Sequence, residues 1–549
     1  MSTNTPSGPS GGPEYIGSDI PSEAPDRGPD GKRWGVMGAV TAGVVGVVAL
    51  GGWGAYALLA GGGDQPADVI PSNAVGYVSL DLDPSAAQKV EAFKILNKFP
   101  AAEKELDLSS KDDIRKLVFT GIQDEGTCKD LDYDQDVKPW IGDRIALAGA
   151  PVGDDAAPVV ALQVTDEEAA DKGVQALAKC GDAGEDFGYA FLDGYVLISD
   201  SDKHAEALVA AAEKASLADD PNFEKWTDQV GDPGIVTAYA AADAPQFFFD
   251  QIDKGFMRDK APLGADSPEL DGFGSGLGRM SDKLAAMYDD FEGGAAAIRF
   301  EDGAVEAEFA GKGLPAGFTT ASGEGGTPIT GLPASTGAAM SAGLTEGWLS
   351  DYLDTMSGMF GPEMPVEDML RQAEAESGLS LPEDVETLLG DGFALAVDAE
   401  VDFEALAQSG RVTELPVGLK VEGDPDEILP VVDKIKSKLG AEADMLVVES
   451  GDGVVVFGVN PEYTRSLLEQ GSLGDDAAFQ NVVPEADSAN SVFYLNFDAG
   501  DGWAESLADL IGEGEPDAKA NVAPLDALGV TGWIDSDEVQ RGLLRMTTD

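Results

Sequence analysis

His204 is the single histidine of this 549-residue chain, and Cys128 and Cys180 are its two cysteines. Nucleophilic or proton-transfer chemistry at neutral pH therefore has few side chains to draw on. A Ser-His-Asp or Cys-His arrangement needs an imidazole to take the proton of the nucleophile. His204 lies in SDSDKHAEALVAA, where helical spacing begins, and reads as a surface residue of the first turns rather than as a base. Neither a GxxxxGK[ST] phosphate loop nor an HExxH metal pair occurs, and GFGSGLGR at 272–279 departs from the dinucleotide fingerprint and reads as a loop.

Carboxylates are too numerous, at 101, for any pair of them to be informative. Asp130, Asp132, Asp134 and Asp136 in DLDYDQD alone stand out, because alternate acids suit a hard cation such as calcium. The glycine that a calcium loop needs at its sixth position is missing, so the stretch reads as a solvated approach to a helix. No catalytic residue, metal ligand or cofactor is expected. Two apolar features remain. Phe247, Phe248 and Phe249 are consecutive, and on a helix they would fan over about 200°, too wide for one core-facing stripe. One ring is therefore expected under the following loop, which carries Phe256, Met257, Leu263 and Phe273. Met356, Met359, Met364 and Met369 in MSGMFGPEMPVEDML suit ordinary core packing, with an adaptable groove for a lipid or peptide as the alternative.

The elements that position these residues are written twice. DVKPWIGDRIALA at 136–148 returns as DVETLLGDGFALA at 384–396, with seven of thirteen letters identical. SLADDPNF at 216–223 returns as SLGDDAAF at 472–479, and VTAYAAADA at 236–244 as SVFYLNFDA at 491–499, which pairs Tyr239 with Tyr494 and Asp243 with Asp498. IPSNAVGYVSLDLD at 70–83 matches LPASTGAAMSAGLT at 332–345. The matches are collinear, and they predict a tandem duplication at 67–312 and 329–549, joined by a Gly-, Thr- and Pro-rich linker at 313–328. Within each copy, alternating strings such as VGYVSLDLD and RIALAGA predict strands, and EEAADKGVQALAK and DKHAEALVAAAEK predict helices. The expected fold class is α+β: two copies of a mostly antiparallel sheet covered by helices. At the repeated joint, Asp136 and Asp384 are N-cap candidates, Gly142 and Gly390 are candidates for a left-handed helix stop, and Trp140 and Leu388 are expected as core plugs.

Before the copies lie three further segments. Residues 1–33 are rich in Pro, Gly and Ser and are expected to be a disordered cytoplasmic tail. Residues 34–60 carry no charge, enough for one transmembrane helix, and residues 61–66 form a linker. Lys32 and Arg33 precede the span and Asp64 and Asp68 follow it, so the N-terminus is expected in the cytoplasm and the C-terminal body outside, at the cell membrane. Small-residue rows, Gly35, Ala39 and Gly43 and likewise Gly38, Ala42 and Gly46, would allow a homodimer through this helix. In an oxidising compartment Cys128 and Cys180 would form a disulfide, whose loop of about 50 residues would contribute roughly 4 kcal/mol.

The net charge of -66 makes nucleic acid an improbable partner, since phosphate binding needs clustered Lys and Arg. The glycine-rich span, followed by VIPSNAVGYVSLDLDPSAAQKVEAFKILNKFP and DVKPWIGDRIALA, resembles an actinobacterial family of single-pass, membrane-anchored proteins carrying a domain of unknown function. That resemblance implies an envelope protein and supplies no catalytic residue. The expected function is non-enzymatic binding or scaffolding of an unknown protein. A carrier or sensor of a hydrophobic ligand, lipid or peptide, is the first alternative, and an envelope enzyme of unknown reaction the second.

Overall fold

Along IGDRIALAGA every second side chain is buried, the period-two pattern of a strand that packs one face on a core. Sixteen strands occur among the described residues. The computed structural model describes residues 65–81, 86–100, 115–116, 131–153, 155–180, 187–253, 285–314, 325–360, 366–401, 411–500, 503 and 518–549.

The first half contributes β1 (Gly76–Asp81), β2 (Ile141–Val152), β3 (Asp155–Val164), β4 (Gly188–Leu192), β5 (Tyr195–Ser199), β6 (Val236–Ala241), β7 (Gly293–Glu301) and β8 (Ala304–Lys312). The second contributes β9 (Thr336–Gly343), β10 (Gly392–Asp398), β11 (Val417–Glu422), β12 (Val447–Gly451), β13 (Val454–Gly458), β14 (Ser491–Asn496), β15 (Leu525–Ile534) and β16 (Gln540–Thr548). From one edge to the other the order is β4-β5-β3-β2-β1-β6-β7-β8-β16-β15-β14-β9-β10-β11-β13-β12. Both halves run in the same internal order outward from the β8–β16 joint, and every neighbouring pair is antiparallel.

The described helices used below are α1 (Ala86–Leu96), α2 (Glu167–Cys180), α3 (Asp202–Ala212), α4 (Pro221–Thr227), α5 (Ala244–Asp253), α6 (Glu383–Leu389), α7 (Pro425–Leu439), α8 (Pro461–Ser466) and α9 (Ala477–Val482). On one sheet face α3 and α4 cover the first half and α8 and α9 the second. The repeated letters fold alike there. Asp220 Oδ1 accepts from the Asn222 and Phe223 amides at 2.8 and 3.1 Å and caps α4; Asp476 Oδ1 accepts from Ala478 and Phe479 at 2.9 and 3.1 Å and caps α9. Each cap seats a phenylalanine edge-on against a tyrosine of the sheet, Phe223 on Tyr239 at 5.2 Å and Phe479 on Tyr494 at 5.1 Å. Trp226, fully buried at the end of α4, lies over Gly293. A Cβ at Gly293, whose φ is +128°, would stand 2.3 Å from the indole nitrogen, so only glycine fits.

The opposite face is covered unevenly. Ala170 and Val174 of α2 join Trp140, Val160 and Val196 in one cluster, α1 places Ala92 and Ile95 against Phe300 and Val305, and α7 packs Ile428 and Val432 on Val421 and Phe457.

The expected fold class is corrected on one point: the two copies of the sheet, which the sequence leaves either separate or continuous, are one sixteen-stranded sheet, because β16 pairs with β8 across eight residue positions, Gln540 with Gly311 through Thr547 with Ala304. No helix among the described residues is long and apolar enough to cross a membrane, so the expected transmembrane helix is not among the described elements. The tail 1–33 and the stretch 34–60, with the rows of small residues meant for a dimer, lie outside the described residues. Cys128 and the side chain of Cys180, expected to form a disulfide, likewise lie outside the described residues.

The joint between the halves carries a buried ionic ladder beside buried apolar residues, Ala304, Val305, Ala310 and Leu543. Glu306 of β8 accepts from Arg299 of β7 and from Arg545 of β16, both at 2.8 Å, and Arg299 also donates to Glu308 at 2.8 Å and to the Val230 and Asp232 carbonyls. Removing Glu306 leaves Arg299 on Glu308 and two carbonyls but takes from the partly buried Arg545 its carboxylate partner, which costs about 1–3 kcal/mol. Glu306→Ala is expected to lower the unfolding free energy by about that amount in urea titration, whereas Glu538→Ala, at the exposed rim, is expected to change it by no more than about 0.5 kcal/mol.

Candidate interaction face

On the unevenly covered face, one cross-strand row is apolar at all sixteen strands. From the first edge it reads Phe191, Val196, Leu162, Ile145, Leu80, Val236, Ile298 and Ala307. It continues with Leu544, Val530, Phe493, Met340, Leu395, Leu419, Phe457 and Val448. Helices cover both ends and the first-half stretch beside the joint. In the second half the row emerges: Val530 is 37% exposed, Phe493 41%, Met340 44% and Leu395 38%. These four stand directly opposite one another on β15, β14, β9 and β10.

Why they stand out follows from the period of the strand. In SVFYLN, Val492, Tyr494 and Asn496 point into the covered core, so Phe493 must point the other way. In GFALAVD the buried positions are Gly392, Ala394, Ala396 and Asp398, which turns Leu395 outward. The matching first-half positions are Leu147, Val78, Ala238 and Ala296, again in direct register. The second half thus carries Met340 for Val78, Phe493 for Ala238 and Val530 for Ala296: larger apolar groups with less cover. Beside the strip, Trp503 is buried against Ala338, Val397 and Leu495 on the same face.

The residues singled out from sequence fall elsewhere. His204 is buried rather than exposed, with Nδ1 2.6 Å from an Asp200 oxygen and Nε2 3.8 Å from Asp155. Its helix is capped by the Ser201 hydroxyl, which accepts from the His204 amide at 3.2 Å. Asp132 and Asp136 bond backbone amides, of Gln135 and Asp132 respectively, and Asp134 pairs with Lys116 and Lys138, which hold its carboxyl below the usual range. They are thus capping and paired groups; Asp130 lies outside the described residues. Asp136 is not an N-cap, a role Asp132 takes; its carboxylate accepts from an amide four residues back, as does that of Asp384, at 2.8 and 2.7 Å. Burial would raise the Asp384 carboxyl, but Lys434 and the Ser380 amide lower it on balance. Trp140 is a buried plug and Leu388 a partly buried one, and Gly390 takes a φ of +58°.

Phe247 lies over Gly149, while Phe248, Phe249 and Tyr288 form an edge-packed chain; the loop residues expected beneath them lie outside the described set, as does Met364. Met369 is exposed and Met356 half-buried. Burial pushes the Tyr239 phenol up to about 12, and those of Tyr77, Tyr195, Tyr463 and Tyr494 higher, so these groups are neutral packing elements at ordinary pH.

Two polar features could hold a small ligand. A cleft of about 430 Å³ is lined by Asp398, Glu400, Glu414, Glu462, Asn460 and Tyr463, though Asp398 is already engaged by Ser335 at 2.5 Å and the Glu400 amide at 2.9 Å. Asp498, Asp526 and Asp549 bring their carboxylate oxygens within 4.8 Å of one another, the arrangement of a candidate cation site.

A family model described as a protein of unknown function (DUF3352) matches residues 40–409, more than half of the sequence, and the chain belongs to that family. The matched stretch holds β1 to β10, with Met340 and Leu395, and stops short of Phe493 and Val530. Neither the curated proteins nor the solved structures yield a match.

Asp498 is raised above the ordinary carboxylate value by burial, then by Asp549 and Asp526. The folded chain then binds this proton more tightly than the unfolded one, so stability is lost as pH rises from about 3.9 through the raised value. Asp498→Asn is expected to raise the melting temperature at pH 7, and the gain is expected to vanish below about pH 4 in thermal melts.

Proposed function

We propose that this member of a family of unknown function is a non-enzymatic binding or scaffold protein, and that the Leu395–Met340–Phe493–Val530 strip is where it takes a partner. The supporting observation is that size and exposure rise together there. At the matching first-half positions the groups are small and under cover, Ala238 buried and Ala296 half-buried, whereas contiguous exposed apolar groups are the mark of an interaction site. Covering what remains open on four such side chains would contribute on the order of 2–5 kcal/mol before association costs. That is enough for an anchor with contacts around it. A carrier for a hydrophobic ligand has less support. The cleft beside Asp398 presents carboxylates and an amide rather than an apolar lining.

An uncharged solvatochromic dye tests the reading without electrostatic bias. Nile red is expected to gain blue-shifted emission on the full chain and to lose about half or more of it in Phe493→Gln and in Met340→Gln. Unchanged emission in both variants would show that the strip is not a binding surface.

A further inference from the structure

Resting on that reading, we infer that the strip's partner is an amphipathic α-helix whose polar face is basic. The backbone of β15, β14, β9 and β10 is paired on both sides within the sheet, so an added strand would find no free amide or carbonyl there. Docking must be by side chains onto the face. The strip's spacing suits a helix: neighbouring strands stand about 4.8 Å apart, so Leu395 to Val530 covers about 14 Å, while a helix presents one apolar position per turn of 5.4 Å. About three turns match the four residues. The same face of the first half already takes a helix, with Ala92 and Ile95 of α1 seated on Phe300 and Val305.

Charge decides which helix. Residues 336–398, which hold β9, β10 and the chain between them, contain thirteen acids and one base, Arg371; eleven acids remain once Asp398, on the other face, and Asp384, paired with Lys434, are set aside. At the end of β15, on the strip's own strand, the Asp498, Asp526 and Asp549 carboxylates are gathered. A second copy of this chain, also at -66, would meet like charge on approach, as would an anionic lipid surface. A helix with lysine or arginine flanking its apolar stripe would be drawn in and held at the rim.

Three synthetic peptides of about 14 residues and the full chain test this by fluorescence anisotropy: a Leu/Lys helix with one apolar face, a scrambled peptide of the same composition, and a Leu/Glu helix. The Leu/Lys helix is expected to bind at least about tenfold more tightly than its scramble, and the Leu/Glu helix at least about tenfold more weakly. The preference for the ordered Leu/Lys peptide is expected to disappear in Phe493→Gln and in Met340→Gln, with thermal melts confirming that both variants are folded. Equal binding of the Leu/Lys helix and its scramble, equal binding of the Leu/Lys and Leu/Glu helices, or a preference that survives both substitutions, would overturn the inference. If the strip still takes up Nile red while no peptide binds, the helical partner is wrong and the binding face stands. Loss of both removes the face itself.

Discussion

The antiparallel pairing of β8 with β16 is the constraint on which the remaining architecture depends. Each half contributes eight strands, and β8 and β16, which would each be an edge, satisfy one another. Eight aligned residue positions and the Arg299–Glu306–Arg545 ladder lie along this joint. Buried charges of this kind add little net stability over well-packed apolar groups, but they penalise a slipped register, because a displaced guanidinium has nowhere to go. A purely hydrophobic joint would have tolerated several alignments. With the ionic ladder, the apolar row stays continuous from Phe191 to Val448.

That continuity makes the difference between the halves meaningful. The Asp220 and Asp476 caps, with their phenylalanine–tyrosine contacts, keep the covered face alike in both. On the other face the halves have diverged: alanines lie where cover is good and a phenylalanine, a methionine and a valine lie where it is poor. Duplicated units commonly keep the side that builds the core and vary the side that meets other molecules, since the first is held by packing density and the second is free to change.

Much of the fold was legible in the sequence, and the reason is periodicity. Strings such as RIALAGA alternate cleanly, and the repeated SL-DD--F letters encode a cap followed by a seated aromatic. Whether the copies would share one sheet was not legible, because the residues that join them, in AVEAEFAGK and QRGLLRMTT, look like ordinary edge strands until the partner is known. His204 departs from its reading for a similar reason: its helix position suggests exposure, while in the fold it is buried and lies near Asp155, 49 positions away in the sequence. The interaction strip left a trace that could have been read. SVFYLNF and GFALAV are apolar on both faces, as expected of strands covered twice.

Antiparallel sheets are propellers rather than planes, each strand rotated about 20–25° from its neighbour. From β10 to β15 that amounts to roughly 60–75°, so the four exposed side chains lie along a slow screw and not along a straight ruler. A rigid rod laid on such a surface touches best at its middle, which puts the burden of discrimination on Met340, the most adaptable of the four, and on Phe493, the broadest. The outer two, Leu395 and Val530, then reward whatever can bend to follow the sheet.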